Sequence, residues 1–217
     1  MSGAGGAEGR AGRVPSRGGL VARVRGARGV AVLAVIAGIG LALGGCGREG
    51  AEGRQTAEME GDARMRLTSP EFEDGERIPE RFTCDGEDVS PPLVIRGVPD
   101  SARTLALVFD DPDAPRGEFV HWLLWNVPPD VSTLPEAIPP SEVLEGFGSA
   151  AQGRNGFRSI GYRGPCPPPG PDHHYRFRLF ALDTTLALAP GADREGLEDA
   201  MTGHVLEEAL LTGRYAR

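Results

Sequence analysis

The chain has 217 residues, enough for one domain of about 150 residues and an additional segment. Its 23 basic residues are all arginine, and 31 acidic residues give it a formal net charge of −8 at pH 7. The arginines form no continuous basic segment that could contact the phosphate backbone of a nucleic acid. The composition therefore argues against a nucleic-acid-binding protein.

The first 45 residues have the pattern of an export signal. Residues 1–29 carry six arginines and a single acid, and residues 30–43, "VAVLAVIAGIGLAL", are uncharged and mostly apolar. A basic segment followed by a short apolar run is typical of a secretory signal. The alternative is a permanent membrane span, which is less favoured because a spanning helix needs roughly 20 apolar residues.

The apolar run ends in "LGGC", residues 43–46, which resembles a bacterial lipobox. This resemblance implies cleavage before Cys46, a lipid on Cys46 and anchoring of the protein to the bacterial cell envelope. The alternative is that Cys46 is simply a small residue near an ordinary cleavage site. The chain that follows the signal has 17 Arg and 30 acidic residues, so the exported part carries a formal charge of about −13.

A flexible tether is predicted over residues 46–64. This segment is polar and charged and contains almost no aromatic or β-branched residues, so it cannot bury a core. The folded domain is therefore predicted to span residues 65–217.

Three segments of this domain have the character of β-strands: "TLALVFD" at 104–110, "FVHWLLWNV" at 119–127 and "YRFRLFAL" at 175–182. The first is short and apolar, the second is rich in aromatic residues, and the third begins with alternating apolar and charged residues. Proline-rich and glycine-rich loops between them favour a mainly β fold, an antiparallel β-sandwich, over βαβ units.

A helix is predicted over "DREGLEDAMTGHVLEEALLTG", residues 193–213, at the C-terminal end of the domain. Asp193 is a candidate N-cap, and Gly213 is a candidate stop. His204 lies within this segment and is interpreted as an ordinary hydrogen-bonding residue.

The candidate site residues, which have acidic, imidazole or phenol side chains, lie around the second strand and in a later loop. "DDPDAPRGEFVHW", residues 110–122, places Asp111 and Asp113 in a proline-stiffened turn and returns His121 on the next strand. A second proline-rich loop, "GYRGPCPPPGPDHHY" at 161–175, delivers His173 and Tyr175. Rigid loops on a β scaffold commonly carry binding residues, so one polar pocket is predicted here.

These motifs resemble the phosphatidylethanolamine-binding proteins, in their bacterial Raf-kinase-inhibitor-like branch. The resemblance rests on "DPDAP" with "FVHW", on "NGFRSIGYRGPCPP" and on "HHY", together with "CDGEDVSPPL" and "GHVLEEALLTGRY". It covers about residues 65–217 and implies a Greek-key-like β-sandwich with a few peripheral helices. It also implies a small pocket for phosphate-like head groups.

The resemblance implies a set of site residues. The ligand-binding residues are Asp111, Asp113, His121, His173 and Tyr175. Trp122, Gly164, Pro165 and Cys166 form a secondary pocket wall. A slip of one residue would exchange His173 with His174, because neighbours on a strand point to opposite faces.

An anion pocket that contains aspartates needs an explanation. A neighbouring carboxylate favours the imidazolium form of histidine, so Asp111 or Asp113 can hold His121 or His173 charged and oriented towards a phosphate. Binding is then expected to weaken as the pH rises through the histidine pKa.

Cys84 and Cys166 remain after Cys46 is assigned to the lipid. In an oxidising compartment they form a disulfide, and otherwise they are small, partly buried thiols.

We expect a non-catalytic binding protein without cofactor or metal. One alternative is a hydrolase or metal-dependent enzyme, because Asp and His side chains also bind metals and orient general bases. A thiol–imidazole pair of Cys166 and His173 is a variant of this alternative. A third alternative is an inhibitor of an envelope or secreted hydrolase.

Overall fold

A computed structural model describes residues 64–148 and 150–217 of the chain. The predicted export signal, residues 1–45, and the predicted tether up to residue 63 lie outside the described residues. Within the part that is described, no helix has the length and apolar character needed to cross a membrane.

The described residues form mainly β-strands. In chain order these are β1 Arg66–Thr68, β2 Leu93–Arg96, β3 Thr104–Asp111, β4 Phe119–Val127, β5 Thr133–Leu134, β6 Ala151–Gln152, β7 His173–Leu182 and β8 Val205–Tyr215. The helix α1 spans Arg194–Met201, and two short 3-10 turns span Glu80–Phe82 and Glu145–Phe147.

The strands form two antiparallel sheets. The smaller sheet has the order β1-β2-β5, and the larger has the order β6-β4-β3-β7-β8. The chain passes from the small sheet to the large one after β2, returns for β5 and leaves again for β6. This arrangement confirms the predicted mainly β, antiparallel sandwich.

The main core lies between the two sheets. Leu67, Leu93 and Ile95 of the small sheet pack in one cluster with Leu107 and Phe109 of the large sheet. Strand β3 is central in the large sheet, and all eight of its residues are buried. This position explains its nearly continuous apolar sequence, since both faces of the strand are covered.

A second apolar cluster covers the outer face of the large sheet. Val108, Leu123 and Trp125 pack there with Leu197 and Met201 of α1. Trp122 belongs to the inner cluster, so the two tryptophans of β4 lie on opposite faces of the sheet. The helix is thus a peripheral element on one face of the sandwich.

The prediction of one helix over 193–213 is wrong in its second half. The helix begins as predicted, with the side chain of Asp193 accepting a hydrogen bond from the Gly196 N–H, but it ends at Met201. Gly203 then adopts a positive φ of 81°, and β8 pairs with β7 along its length. Long-range pairing with β7 outweighs the local helix preference of "VLEEALL".

The strand predictions agree closely with the structure. The run 104–110 lies within β3, 119–127 coincides with β4, and 175–182 lies within β7. β7 begins two residues earlier than predicted, at His173, so both histidines of the "HHY" motif lie on a strand and point to opposite sides.

Candidate ligand-binding site

A small cavity lies at one end of the large sheet. Because β3 runs antiparallel to β4 and β7, the end of β3 lies beside the starts of the other two strands. The cavity has a volume of about 150 Å³ and is lined by Asp111, Ala114, Pro115, Phe119, His121, Phe157, Cys166, Pro167, Pro168, His173 and Tyr175. Four of the five predicted ligand-binding residues therefore meet here, and Asp113 does not line the cavity.

The three acidic residues of the "DDPD" turn, Asp110, Asp111 and Asp113, have different side-chain partners. Asp110 points to the outer face of the sheet, where both carboxylate oxygens accept hydrogen bonds from Arg176 at 2.8 and 2.9 Å. Asp111 points inward and accepts a hydrogen bond from Nδ1 of His173 at 2.8 Å. Only the second of these carboxylates lies in the cavity wall.

Asp113 holds the turn in place from outside the cavity. Its backbone N–H donates to Oδ1 of Asp111 at 2.8 Å, and its carboxylate accepts from the backbone N–H of His174 and from Nδ1 of that ring. The two hydrogen bonds from His174 lower the pKa of the Asp113 carboxyl below its ordinary value. The structure thus gives Asp113 contacts to the turn and to His174, which differs from its predicted place in the pocket.

The His173–Asp111 pair is buried. The side chains are 8% and 5% exposed, and an ionised carboxylate only accepts hydrogen bonds, so Nδ1 of His173 carries the proton of the shared bond. This leaves Nε2 as the ring nitrogen not engaged by Asp111. The adjacent His174 ring is exposed, as expected for the next residue on a strand.

His121 reaches the cavity through a β-bulge. Phe109 pairs with Trp122 and Asp110 pairs with Val120, so β4 has one extra residue, His121, opposite this step of β3. Both His121 and Trp122 therefore face inward, although they are neighbours on one strand. The bulge brings the His121 ring to 5.4 Å from the ring of Tyr175, measured between centroids.

A main-chain carbonyl fixes the tautomer of His121. Nδ1 lies 2.7 Å from the carbonyl oxygen of Arg163, and because a carbonyl can only accept, Nδ1 must donate. Burial lowers the pKa of His121, against weaker opposing effects of the Arg163 carbonyl and the Asp111 charge. The ring is thus held neutral, with Nε2 as a hydrogen-bond acceptor. Of the two histidines predicted to pair with an aspartate, only His173 has that partner.

Tyr175 supplies an unpartnered hydroxyl. Its side chain is fully buried and lines the cavity. The Asp111 carboxylate and the Cys166 backbone lie close to the hydroxyl, but among the described residues no group meets it in hydrogen-bond geometry. Burial and the neighbouring Asp111 charge raise the pKa of Tyr175, so the phenol stays protonated. An unpaired buried hydroxyl is costly, and such groups in native proteins call for an explanation.

An apolar wall that the sequence analysis missed faces these polar groups. The rings of Phe119 and Phe157 meet edge to face at 4.8 Å, and each lies within 5.6 Å of the His121 ring. The side chain of Asn155 holds the Phe157 loop through hydrogen bonds to Gly161, Phe157 and Ser159. Phe157 belongs to the "NGF" stretch of a family motif, but the sequence alone predicted no role for it.

The last wall is the segment 162–168, which is anchored to residues 82–88. Cys166 forms a disulfide with Cys84, and the Cys84 N–H donates to the carbonyl of Pro165. The Gly164 N–H donates to Oδ1 of Asp88 at 2.7 Å. The disulfide closes a separation of 82 residues, which corresponds to roughly 4 kcal/mol in the chain-entropy model.

The predicted secondary wall is only partly present. Cys166 lines the cavity, whereas Gly164 and Pro165 face the 82–88 segment and Trp122 lies in the core behind His121. The indole N–H of Trp122 donates to Gln152 at 2.6 Å. Since Cys166 is bound to Cys84, it has no thiol for a pair with His173.

Within residues 64–148 and 150–217, no cluster of three His, Cys, Asp or Glu side chains is arranged to hold a metal ion. The arrangement in the cavity instead offers hydrogen-bonding atoms on one side and aromatic rings on the other.

A two-sheet β protein with this Asp, His and Tyr cavity at the end of its large sheet defines a recognisable class. Residues 68–216 match the family described as phosphatidylethanolamine-binding protein, so the chain belongs to that family. The match includes every residue of the cavity.

Relatives and solved structures agree with this assignment. The chain is 52% identical over 153 residues to a UPF0098 protein of Methanothermobacter thermautotrophicus, covering 70% of this chain and 99% of the relative. It is 49% identical over 159 residues to a UPF0098 protein of Pyrococcus horikoshii, covering 72% and 80%.

Two crystal structures share the fold. A phosphatidylethanolamine-binding protein homolog from Chlamydia trachomatis is 38% identical with a TM-score of 0.65, covering 71% of this chain and 99% of that one. Escherichia coli YbcL, described as a member of the mammalian PEBP family, is 30% identical with a TM-score of 0.67 and the same coverage.

Proposed function

We propose that this protein is an exported lipoprotein that binds a small anionic, phosphorylated ligand in the cavity and does not transform it. The observation that carries the proposal is the Tyr175 hydroxyl, which is fully buried and unpartnered among the described residues. A ligand oxygen at this position would satisfy the hydroxyl. The rings of His121 and His173 line the same cavity and add two further polar groups.

The size of the cavity supports a small polar group. Its volume of about 150 Å³ corresponds to roughly five water molecules at about 30 Å³ each. That space suits a tetrahedral oxyanion and little more. The rest of a larger ligand would extend out of the cavity along the side of Phe157, which is 44% exposed.

The charge arrangement is compatible with an anion despite Asp111. When the His173 ring is protonated, it neutralises Asp111 through the 2.8 Å hydrogen bond and can present Nε2–H to a ligand. Asp113 is paired with His174 outside the cavity, so it adds no hydrogen-bonding oxygen to the lining.

The composition of the lining supports binding without catalysis. The residues that line the cavity include no serine or threonine, and Cys166 is bound in a disulfide. Serine, threonine and free-thiol nucleophiles are therefore missing from this wall, and both oxygens of the Asp111 carboxylate already accept hydrogen bonds from His173 and from the Asp113 N–H. Neither a cofactor nor a nucleic acid is part of the proposal.

A hydrolase remains the second candidate because of one specific feature. A buried carboxylate that orients a histidine through Nδ1 is the arrangement that supports a general base. Incubation with p-nitrophenyl phosphate and p-nitrophenyl acetate tests this candidate. Product release that disappears in His173→Gln but persists in His204→Ala would replace the binding proposal with this one.

Export and lipid anchoring rest on the sequence of residues 1–46. Metabolic labelling of bacterial cells with an alkyne-tagged fatty acid tests them, with Cys46→Ser as the comparison. Label on the native chain that is lost in Cys46→Ser, together with recovery in the membrane fraction, is the expected outcome. An unlabelled chain would remove the lipoprotein part of the proposal.

The ligand part is tested by thermal unfolding with increasing phosphoethanolamine at pH 6 and pH 8. A ligand of the folded state raises the melting temperature by mass action. We expect a saturable rise that is larger at pH 6 and absent in His121→Ala. His204→Ala is the matched control, because His204 bonds Asp183 and lies outside the cavity lining. No rise at either pH would overturn the ligand proposal.

A further inference from the structure

The tautomer of His121 restricts what a bound oxyanion can be. Nδ1 donates to the Arg163 carbonyl, and no hydrogen bond among the described residues involves Nε2. A neutral imidazole held in this way offers Nε2 as an acceptor only. A fully deprotonated oxyanion also has only hydrogen-bond acceptors. Its oxygen could therefore form no hydrogen bond with Nε2 of His121.

The groups around the His121 ring do not favour a proton on Nε2. The charged, titratable or polar groups packed near His121 are Asp110 and Asp111 on β3, His173 and Tyr175 on β7, and the backbone of Arg163 and Gly164 in segment 162–168. Arg163 directs its guanidinium to Asp88 at 2.9 Å. Phe109, Phe119 and Phe157 cover the ring with hydrocarbon, which opposes its protonation.

We propose that the cavity selects phosphoryl and phosphonyl groups that carry one proton, with the P–OH donating to Nε2 of His121. This proposal rests on the proposed function and names the form of the ligand that the same site accepts. A remaining oxygen of such a group accepts a hydrogen bond from the Tyr175 hydroxyl. Fully deprotonated oxyanions of the same shape are rejected, even when their total charge is the same.

The source of the pH dependence distinguishes this idea from titration of a protein histidine. Phosphate monoesters lose their second proton near pH 6. Binding of phosphoethanolamine should therefore weaken by about fifty-fold between pH 6 and pH 8, as the protonated form disappears. If the proton belongs to the ligand, the midpoint of this loss moves with the ligand's own pKa.

Three probes of nearly equal shape test the proposal by calorimetric titration of the full protein from pH 5.5 to pH 8.5. They are phosphoethanolamine, 2-aminoethylphosphonate, which retains its second proton to higher pH, and 2-aminoethyl sulfate, which has no proton to donate. The expected result is a midpoint that lies higher for the phosphonate than for the phosphate, with no binding of the sulfate ester at any pH.

His121→Gln provides the complementary variant, since a carboxamide can donate to an oxygen. It should bind 2-aminoethyl sulfate and lose most of the pH dependence, with folding checked by unliganded thermal unfolding. Equal midpoints for phosphate and phosphonate, or equal affinity of the native protein for the sulfate ester at pH 6, would overturn this inference and leave the proposed function intact. Failure of all three probes to bind would overturn both.

Discussion

Nδ1 of His173 lies 2.8 Å from Oδ2 of Asp111, and both side chains are buried at the end of the large sheet. The two residues are 62 positions apart and come from adjacent antiparallel strands. The second oxygen of the same carboxylate accepts the Asp113 N–H, so Asp111 joins the turn after β3 to the start of β7. The pair is therefore structural as well as part of the cavity.

The first prediction concerns the stability that Asp111 provides. Asp111→Ala leaves the buried Nδ1–H of His173 and the partly buried N–H of Asp113 without an acceptor, and should lower the free energy of unfolding by about 3 kcal/mol. Asp111→Asn keeps an acceptor oxygen and should cost about 1 kcal/mol. Asp113→Ala, at an exposed pair with His174, should cost less than about 1 kcal/mol. Urea unfolding measures all three, and equal losses for Asp111→Ala and Asp113→Ala would show that burial of the pair contributes nothing.

The second prediction concerns pH and His121. Burial lowers the folded-state pKa of His121 below the ordinary value near 6.5, so the unfolded chain takes up this proton first as the pH falls. Stability is then fully present above pH 6.5 and is lost from there down to the folded pKa, by roughly 1 kcal/mol per pH unit.

Urea midpoints at pH 7.5 and pH 5.5 measure this effect. His121→Asn should reduce the difference between the two midpoints, whereas His204→Ala, at an exposed histidine, should leave it nearly unchanged. The contradicting outcome is a native protein that is more stable at pH 5.5 than at pH 7.5, with the gain lost in His121→Asn. It would show that the His121 ring is protonated in the folded state.

The sequence predicted the three main strands and the meeting of Asp111, His121, His173 and Tyr175, because alternation, apolar runs and family motifs are local signals. It did not predict that His121 occupies a bulge. A bulge depends on the register between β3 and β4, and register is a property of two strands together. The tautomer of His121 was hidden for the same reason, since its partner carbonyl is 42 residues away.

The last strand shows how two periodicities can compete in one segment. Residues 197, 201, 205 and 209 are apolar at helical spacing, but 209, 211 and 215 are also apolar at strand spacing. The structure follows the helical pattern to Met201 and the strand pattern afterwards: Ala209, Leu211 and Tyr215 are buried, and Leu210 is 53% exposed. Pairing with the free side of β7 decides this outcome, and β7 is not part of the local sequence of β8.

The third prediction uses this strand. Gly213 was expected to stop a helix, whereas in β8 it pairs with Tyr175, and a Cβ added there would overlap the side chain of Ile78. Gly213→Ala should therefore lower the free energy of unfolding by about 1–3 kcal/mol through overpacking. Gly146→Ala is the control, because an added Cβ there meets no atom within 4 Å. At a helix stop with positive φ, Asn would be tolerated. In strand β8 the larger Asn side chain fits less well, so Gly213→Asn should destabilise the protein more than Gly213→Ala does.

The fourth prediction separates binding from stability at Tyr175. Removal of a buried hydroxyl that has no partner should not harm the fold, so Tyr175→Phe should raise the free energy of unfolding, by up to about 1 kcal/mol. The same change removes a donor to the proposed ligand and should weaken phosphoethanolamine binding by about tenfold.

Tyr162→Phe is the matched comparison for this last experiment. The Tyr162 hydroxyl is also buried, but it donates to the Phe82 carbonyl at 2.6 Å and does not line the cavity. Its loss should lower the free energy of unfolding by about 1 kcal/mol and leave the affinity nearly unchanged. Thermal unfolding with and without ligand reports both quantities for both variants. If Tyr175→Phe lost stability as Tyr162→Phe does, the Tyr175 hydroxyl would have a partner within the protein, and the principal support for the ligand site would be gone.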